Sequence, residues 1–269
     1  MRPSASKLWI GGNYENKEPK GREGLDTNIE GADLATARKI VILAHGFGTD
    51  KHERGAFDAI SEKILEQIPN ATVVRFSYTG FGESEGDQKT KTLETMAEDL
   101  ADVADYVNAK NSGAEIIIGG YSLGNHIVCK YLAENSFRQD KVILMNLPEC
   151  AFKDRMQKFF VDRGLVEVQD DGVWAMKRAD GSISYVGPEF WESVGHTDQQ
   201  IANLRKIVET FDTYLLRATD DHVVDWKASE EEIKDLPFKE KIYLRGNHNY
   251  SKPEDMAAFT EAFVKIIGS

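Results

Sequence analysis

The sequence predicts an α/β fold whose central sheet is mostly parallel. Three observations carry that prediction. Nearly continuous apolar runs of strand length recur along the chain; helical patterns lie between them; and Gly120-Tyr121-Ser122-Leu123-Gly124 joins one such run directly to a helix. Runs without in/out alternation suit strands buried on both faces, and strands alternating with helices imply parallel pairing through right-handed crossovers.

The elements follow in order. Residues 1–38 are polar with scattered glycine, and apart from a short strand at 8–10 they read as irregular chain. A buried strand is expected over 39–45, then a turn at His45-Gly46-Phe47-Gly48, then a helix whose apolar face is Phe57, Ile60, Ile64 and Ile68. A second strand over 71–77 precedes a helix marked by Leu93, Met96, Leu100, Val103 and Val107. A third strand, 115–120, runs through the Gly-rich turn into a helix of about three turns, and a fourth covers 141–146. Between Cys150 and about Thr210 the rhythm breaks. Asp171-Gly172 and Asp180-Gly181 sit between β-prone stretches, the signal for a small meander of hairpins, and the whole segment reads as an insertion. The sheet resumes over 213–218 and 241–244, with a polar helix between them. The last helix is expected to start at Ser251 as N-cap, with Pro253 in its first turn and Glu254 closing a capping box, and to bury Met256, Phe259, Phe263 and Ile266.

Composition narrows the function classes. At 269 residues the chain suits one large domain or two small ones, and 41% hydrophobic with 29% charged residues excludes general disorder. A net charge of −12, from 33 basic against 45 acidic residues, repels phosphate backbones and anionic lipid, so no nucleic-acid partner is expected. No window approaches the ~18 consecutive apolar residues of a membrane span. The first ten residues hold too short an apolar run for a secretory leader. Cys129 and Cys150 are the only cysteines, enough for neither a disulfide framework nor a zinc cluster, and a cytoplasmic location is expected.

The chemistry is concentrated at Ser122. Glycines two residues to either side permit the sharp strand-to-helix turn that projects the serine hydroxyl from the top of a sheet, and the N–H of Leu123 at the start of the helix is available to an oxyanion. A serine hydroxyl needs a neighbouring base, and the base needs a carboxylate to orient it. Among six histidines, His248 in Arg245-Gly-Asn-His-Asn-Tyr250 lies in the loop after the last strand and is the candidate base. His45 reads as a hydrogen-bonded structural residue, His126 as packed or solvent-facing, and His52, His196 and His222 as surface or loop residues. The acid follows the strand at 213–218, where Asp220 and Asp221 are both available; the chain order serine, acid, histidine is the one this architecture uses. The second oxyanion donor is expected from the loop after the first buried strand, at the N–H of Phe47.

With these residues in place, the chain resembles the α/β-hydrolase superfamily, and within it the small esterases and lipases of the feruloyl (cinnamoyl) esterase and monoacylglycerol lipase kind. The likeness rests on His45-Gly-Phe-Gly48, Tyr78-Thr-Gly-Phe-Gly-Glu-Ser-Glu-Gly86, Gly120-Tyr-Ser-Leu-Gly124, and the acid and histidine loops. It implies an eight-stranded, mostly parallel sheet flanked by helices, with a core of 39–149 and 209–269 and a small cap inserted at 150–208. The opening antiparallel hairpin of the family is hard to see here. The family pattern around the acid aligns on 218–224 and selects Asp221, with Ala218 in place of the usual glycine. By the same analogy Phe159, Phe160, Trp174, Tyr185, Phe190 and Trp191 are candidates to line the pocket. The function implied is a serine hydrolase cleaving small-molecule carboxylic esters through an acyl-enzyme on Ser122, His248 and Asp221, with Phe47 and Leu123 as oxyanion donors and no metal or organic cofactor. The alternatives are an amidase or aminopeptidase, with Asp170 or Asp171 receiving the substrate amine, and a catalytically silent binding protein on this fold.

Overall fold

The computed structural model describes residues 6–10, 24–178 and 181–269. Its central sheet is built from β1 (Ser6–Ile10), β2 (Leu25–Gly31), β3 (Lys39–Ala44), β4 (Ala71–Phe76), β5 (Glu115–Tyr121), β6 (Lys141–Met145), β10 (Thr213–Ala218) and β11 (Glu240–Leu244). The order across the sheet is β1-β2-β4-β3-β5-β6-β10-β11. From β4 to β11 every neighbouring pair is parallel, and β2 runs antiparallel to both β1 and β4.

The apolar runs are continuous because both faces of the sheet are covered. In β3, Ile40, Ile42 and Ala44 point into one layer while Val41 and Leu43 point into the other, and all five are fully buried. The first layer contains α2 (Leu93–Lys110), α3 (Leu123–Glu134) and α6 (Thr197–Thr210), which contribute Leu100, Val103, Ile127, Val128, Leu204 and Ile207. The second contains α1 (Ala56–Gln67) and α8 (Pro253–Gly268), with Phe57, Ile60, Phe259 and Phe263 at its centre. No helix among the described residues is long and apolar enough to cross a membrane.

Between β6 and β10 the chain leaves the sheet. It forms α4 (Lys153–Asp162), an antiparallel meander of β7 (Val166–Val168), β8 (Trp174–Lys177) and β9 (Ile183–Val186), then the short α5 (Pro188–Ser193). The Asp171-Gly172 signal does mark a hairpin; Asp180 lies outside the described residues. The end of this excursion differs from the expected boundary at 208. Although it belongs to the segment without a strand, α6 buries Leu204, Ile207 and Val208 in the same layer as α3.

Two further expectations are corrected. The reading of 1–38 as irregular chain fails at 25–31, where β2 pairs with β1 (Ile10 opposite Leu25) and with β4 (Thr27 opposite Phe76), so the opening antiparallel hairpin is present. Polar residues disguise it: Asp26 and Thr27 are buried, and Asp26 is compensated by an ion pair of 2.6 Å to Lys51 Nζ. At the last helix, the N-cap is Lys252 with no side-chain cap, and Ser251 Oγ donates instead to Asn247 Oδ1 at 3.2 Å. Pro253 stands in the first turn as expected; Met256 is only half-buried. The polar helix expected after β10 is α7 (Trp226–Ile233).

Candidate active site

Ser122 occupies the single residue between β5 and α3 and adopts φ 52°, ψ −121°, outside the regions an L residue prefers. Close approach dictates its neighbours. A methyl on Gly120 would lie 2.7 Å from the Gly124 carbonyl oxygen, and one on Gly124 would lie 2.2 Å from the oxygen of Ala44. Any side chain at either position would therefore force α3 off the ends of β3 and β5. The turn is held from below by Asn125, whose Nδ2 donates to the carbonyls of Ser122 and Met145 at 2.8 Å each and whose Oδ1 accepts from Met145 N at 3.0 Å.

His248 reaches Ser122 from the loop after β11. Its Nε2 lies 3.1 Å from Ser122 Oγ, and its Nδ1 lies 2.6 Å from Asp221 Oδ2. The other oxygen of Asp221 accepts from the backbone N–H groups of Val223 (2.8 Å) and Val224 (3.0 Å). Burial alone would raise the Asp221 carboxyl, but the hydrogen bond and charge of His248 and these two amides outweigh it and hold the pKa below the ordinary value. An ionised Asp221 fixes the tautomer: Nδ1 donates to the carboxylate and Nε2 is left to accept from the serine hydroxyl. Asp220 is exposed and only its backbone is engaged, donating to Gly246 O at 3.0 Å, so the geometry distinguishes the two aspartates that the sequence left open.

The histidine is anchored through its backbone. Its carbonyl accepts from Tyr121 Oη and from Asn146 Nδ2, the latter at 2.9 Å. Asn146, at φ 49° after β6, also accepts at Oδ1 from Ala218 N (2.7 Å) and from Tyr250 Oη (3.3 Å).

The loop after β3 lies directly against the serine: a methyl on Gly46 would come within 3.1 Å of Ser122 Cβ. His45 stabilises that loop in its neutral form, since Tyr78 N donates to Nε2 at 3.2 Å and Nδ1 bonds the Gly46 carbonyl at 2.9 Å; burial lowers its pKa to about 4. Glu53 holds the loop from the other side, accepting from Gly46 N at 2.5 Å, and burial raises its carboxyl to about 7. Ser122, His248, Phe47 and Leu123 share one cavity of about 220 Å³, whose far wall is Met156, Phe159 and Phe160 of α4. No cluster of three or more His, Cys, Asp or Glu suited to a metal ion occurs among the described residues.

Comparison with known proteins agrees with this architecture. Residues 35–164 match the model of the Hydrolase_4 family, described as serine aminopeptidase, S33. No curated protein matches. Among solved structures, a hydrolase from Agrobacterium vitis superposes with a TM-score of 0.71 at 15% identity, covering 99% of this chain and all of the other. The esterase domain of a Rhodothermus marinus protein gives 0.70 at 17% identity, covering 98% and 97%. Est1E from Butyrivibrio proteoclasticus, in a structure with bound ferulic acid, gives 0.68 at 17% identity, covering 91% and 94%. The chain has the α/β-hydrolase fold.

Within this fold, the remaining sequence candidates divide. Phe159 and Phe160 line the cavity, whereas Trp174, Phe190 and Trp191 pack behind it: Phe47 lies 5.4 Å from Phe190 and Trp174 lies 4.8 Å from Trp191, centroid to centroid. Tyr185 also stands away from the cavity, under Lys89. These four are corrected from pocket lining to packing. Asp170 and Asp171 are exposed at the β7–β8 turn and do not line the cavity. His126 is buried and stacked on Phe152 at 5.2 Å, His52 meets Asp58 at the surface, and His196 and His222 are exposed. Three residues escaped the sequence reading: Asn125, Asn146 and Glu53. The first two had a signal, an amide side chain next to an otherwise apolar strand end. Glu53 had none, since a glutamate in a charged turn reads as a surface residue.

Proposed function

We propose that this protein is a serine esterase of the α/β-hydrolase superfamily that cleaves small-molecule carboxylic esters through an acyl-enzyme. The observation that carries the reading is the continuous hydrogen-bonded chain Ser122–His248–Asp221 opening onto a cavity walled by Met156, Phe159 and Phe160. In the proposed cycle, Ser122 Oγ attacks the ester carbonyl as His248 Nε2 takes its proton, and Asp221 stabilises the resulting imidazolium. The negative charge on the former carbonyl oxygen is received by the N–H groups of Phe47 and Leu123. Collapse expels the alcohol, which leaves with the proton from His248. Water then attacks the acyl-serine with the same histidine as base, releasing the carboxylic acid and restoring Ser122. The α4–β9 excursion is proposed as a cap that shapes the substrate cavity, and the free, buried state of Cys129 and Cys150 is compatible with a cytoplasmic location.

The aminopeptidase reading attaches to the description of the matched family. It requires a carboxylate free to receive a substrate ammonium. Glu53 is the carboxylate lining the cavity, and it is bonded to Gly46 N–H; Glu149 nearby is paired with Arg155. The ester reading is favoured on that ground. A panel of p-nitrophenyl esters from acetate to decanoate, with methyl ferulate and matched anilides, tests both: ester turnover that vanishes in Ser122→Ala supports the proposal, and turnover of anilides alone would replace it. Failure of a fluorophosphonate probe to label Ser122 in folded protein would favour a binding protein instead.

A further inference from the structure

Phe47 stands between two glycines in the loop after β3, and Gly48 adopts φ 64°, so the local sequence alone does little to fix the direction of the Phe47 N–H. Its neighbour Gly46 is held by the core, with Glu53 on its N–H and His45 Nδ1 2.9 Å from its carbonyl. Phe47 is held through its ring, whose aromatic partners come from the excursion between β6 and β10. Its centroid lies 5.4 Å from that of Phe190, 5.8 Å from Phe160 and 6.3 Å from Trp191. These supports differ. Phe160 lines the cavity from α4, in which no residue is buried, whereas Phe190 and Trp191 are buried in α5 and do not line the cavity. The helix α5 is also tied to the core. Ser193 Oγ donates to the Phe190 carbonyl at 2.8 Å and accepts at 3.1 Å from the N–H of Leu93, one of the first-turn donors of α2 that no helical carbonyl can reach. A methyl on Gly187, the residue before α5, would lie 1.9 Å from the Lys89 carbonyl oxygen.

A continuous line of contacts thus runs from the start of α2 through Ser193 and Phe190 to the Phe47 ring. Resting on the esterase reading, with Phe47 as an oxyanion donor, we infer that Phe190 is a positioning residue for the reaction. It fixes the Phe47 ring, and through the ring the aim of the Phe47 N–H, without touching substrate. An N–H aimed at the oxyanion acts only where negative charge develops, so an error in its aim weakens binding of the transition state and leaves ground-state binding alone. The effect is separate from that of α4, where a lost ring changes the space offered to substrate.

The test compares Phe190→Ala, which removes the ring, with Phe190→Leu, which keeps much of its apolar volume, on p-nitrophenyl butyrate. The expected result is a kcat lower by about tenfold in Phe190→Ala and by less in Phe190→Leu, with KM within about twofold of wild type. Inhibition by a phenyl trifluoromethyl ketone reads the donor directly. Ser122 Oγ bonds to the ketone carbon, the carbonyl π pair moves onto oxygen and the hydroxyl proton passes to His248, so the adduct presents an oxyanion to the same N–H groups. Its Ki should rise by the factor by which kcat falls. Mere loss of folded enzyme would lower the apparent kcat and leave Ki unchanged. Should Phe190→Ala fail to fold, the Phe190→Leu values decide. A wild-type kcat in the folded variants, or a fall in kcat with an unchanged Ki, overturns the inference and leaves the esterase intact. A rise in KM alone also overturns it, since Phe190 would then shape the substrate site. Wild-type protein that turns over no ester and binds no trifluoromethyl ketone overturns both readings.

Discussion

The strand ends that carry Ser122, Asp221 and His248 and the excursion that roofs them are built on different principles. At the strand ends, nearly every group near the reacting atoms is buried and doubly held: Asn125 grips the serine turn, Asn146 and Tyr121 grip the histidine carbonyl, and two amides grip Asp221. The roof is looser. No residue of α4 is buried, and Val161, Val168 and Ile183 stand about half exposed in water. The contrast teaches that positional precision is concentrated around Ser122, His248 and Asp221, while the wall proposed to meet a substrate is left open to water.

That contrast makes graded predictions. Ser122→Ala is expected to lower kcat by on the order of 10⁴–10⁶ with an unchanged Tm, read by steady-state kinetics and thermal melts. Activity that survives the substitution would place the chemistry elsewhere. Next in size, Asp221→Asn is expected to cost about 10⁴ in kcat by releasing the histidine tautomer, against little change in Asp220→Asn; similar losses in both would mean that neither aspartate orients His248.

Glu53 gives a stability test of the rigid half. Its carboxyl ionises near 4.5 in the unfolded chain and near 7 when folded, so the native state binds the extra proton between those values. The neutral form's contribution is fully present below pH 4.5 and lost as pH rises to 7, by about 3 kcal/mol in order of magnitude. Glu53→Gln should therefore gain on wild type in denaturant midpoint as pH is taken from 4 to 8. Parallel curves for the two proteins would show that Glu53 ionises normally. Smallest of all, Phe160→Ala on the roof should shift preference among acyl chain lengths by about tenfold without altering the pH profile of kcat, in a panel of p-nitrophenyl esters. A drop in kcat on every substrate would erase the division between frame and roof.

The same division decides what could be read from the sequence. The parallel strands were legible because burial on both faces leaves an unbroken apolar run, and the serine turn because close backbone approach leaves glycine no substitute. The histidine was legible from its place after the last strand. By contrast β2 was not, because Asp26 and Thr27 are buried, the aspartate in an ion pair with Lys51 that only the fold creates. Which aromatics would face the cavity was not either, since Phe160 and Trp191 look alike until the turns of the roof are set. Likewise α6 lies in a stretch without strands, yet it packs as a core helix beside α3.

Asn146 has a wider meaning than its four bonds. One uncharged amide joins the strand that leads to the acid, the tyrosine beside the serine, the histidine's own carbonyl and Tyr250. A joint made from an amide has no proton to gain or lose as pH changes. Acid or alkali thus leaves this joint uncharged, and the four groups it ties together keep a common anchor whatever their surroundings do.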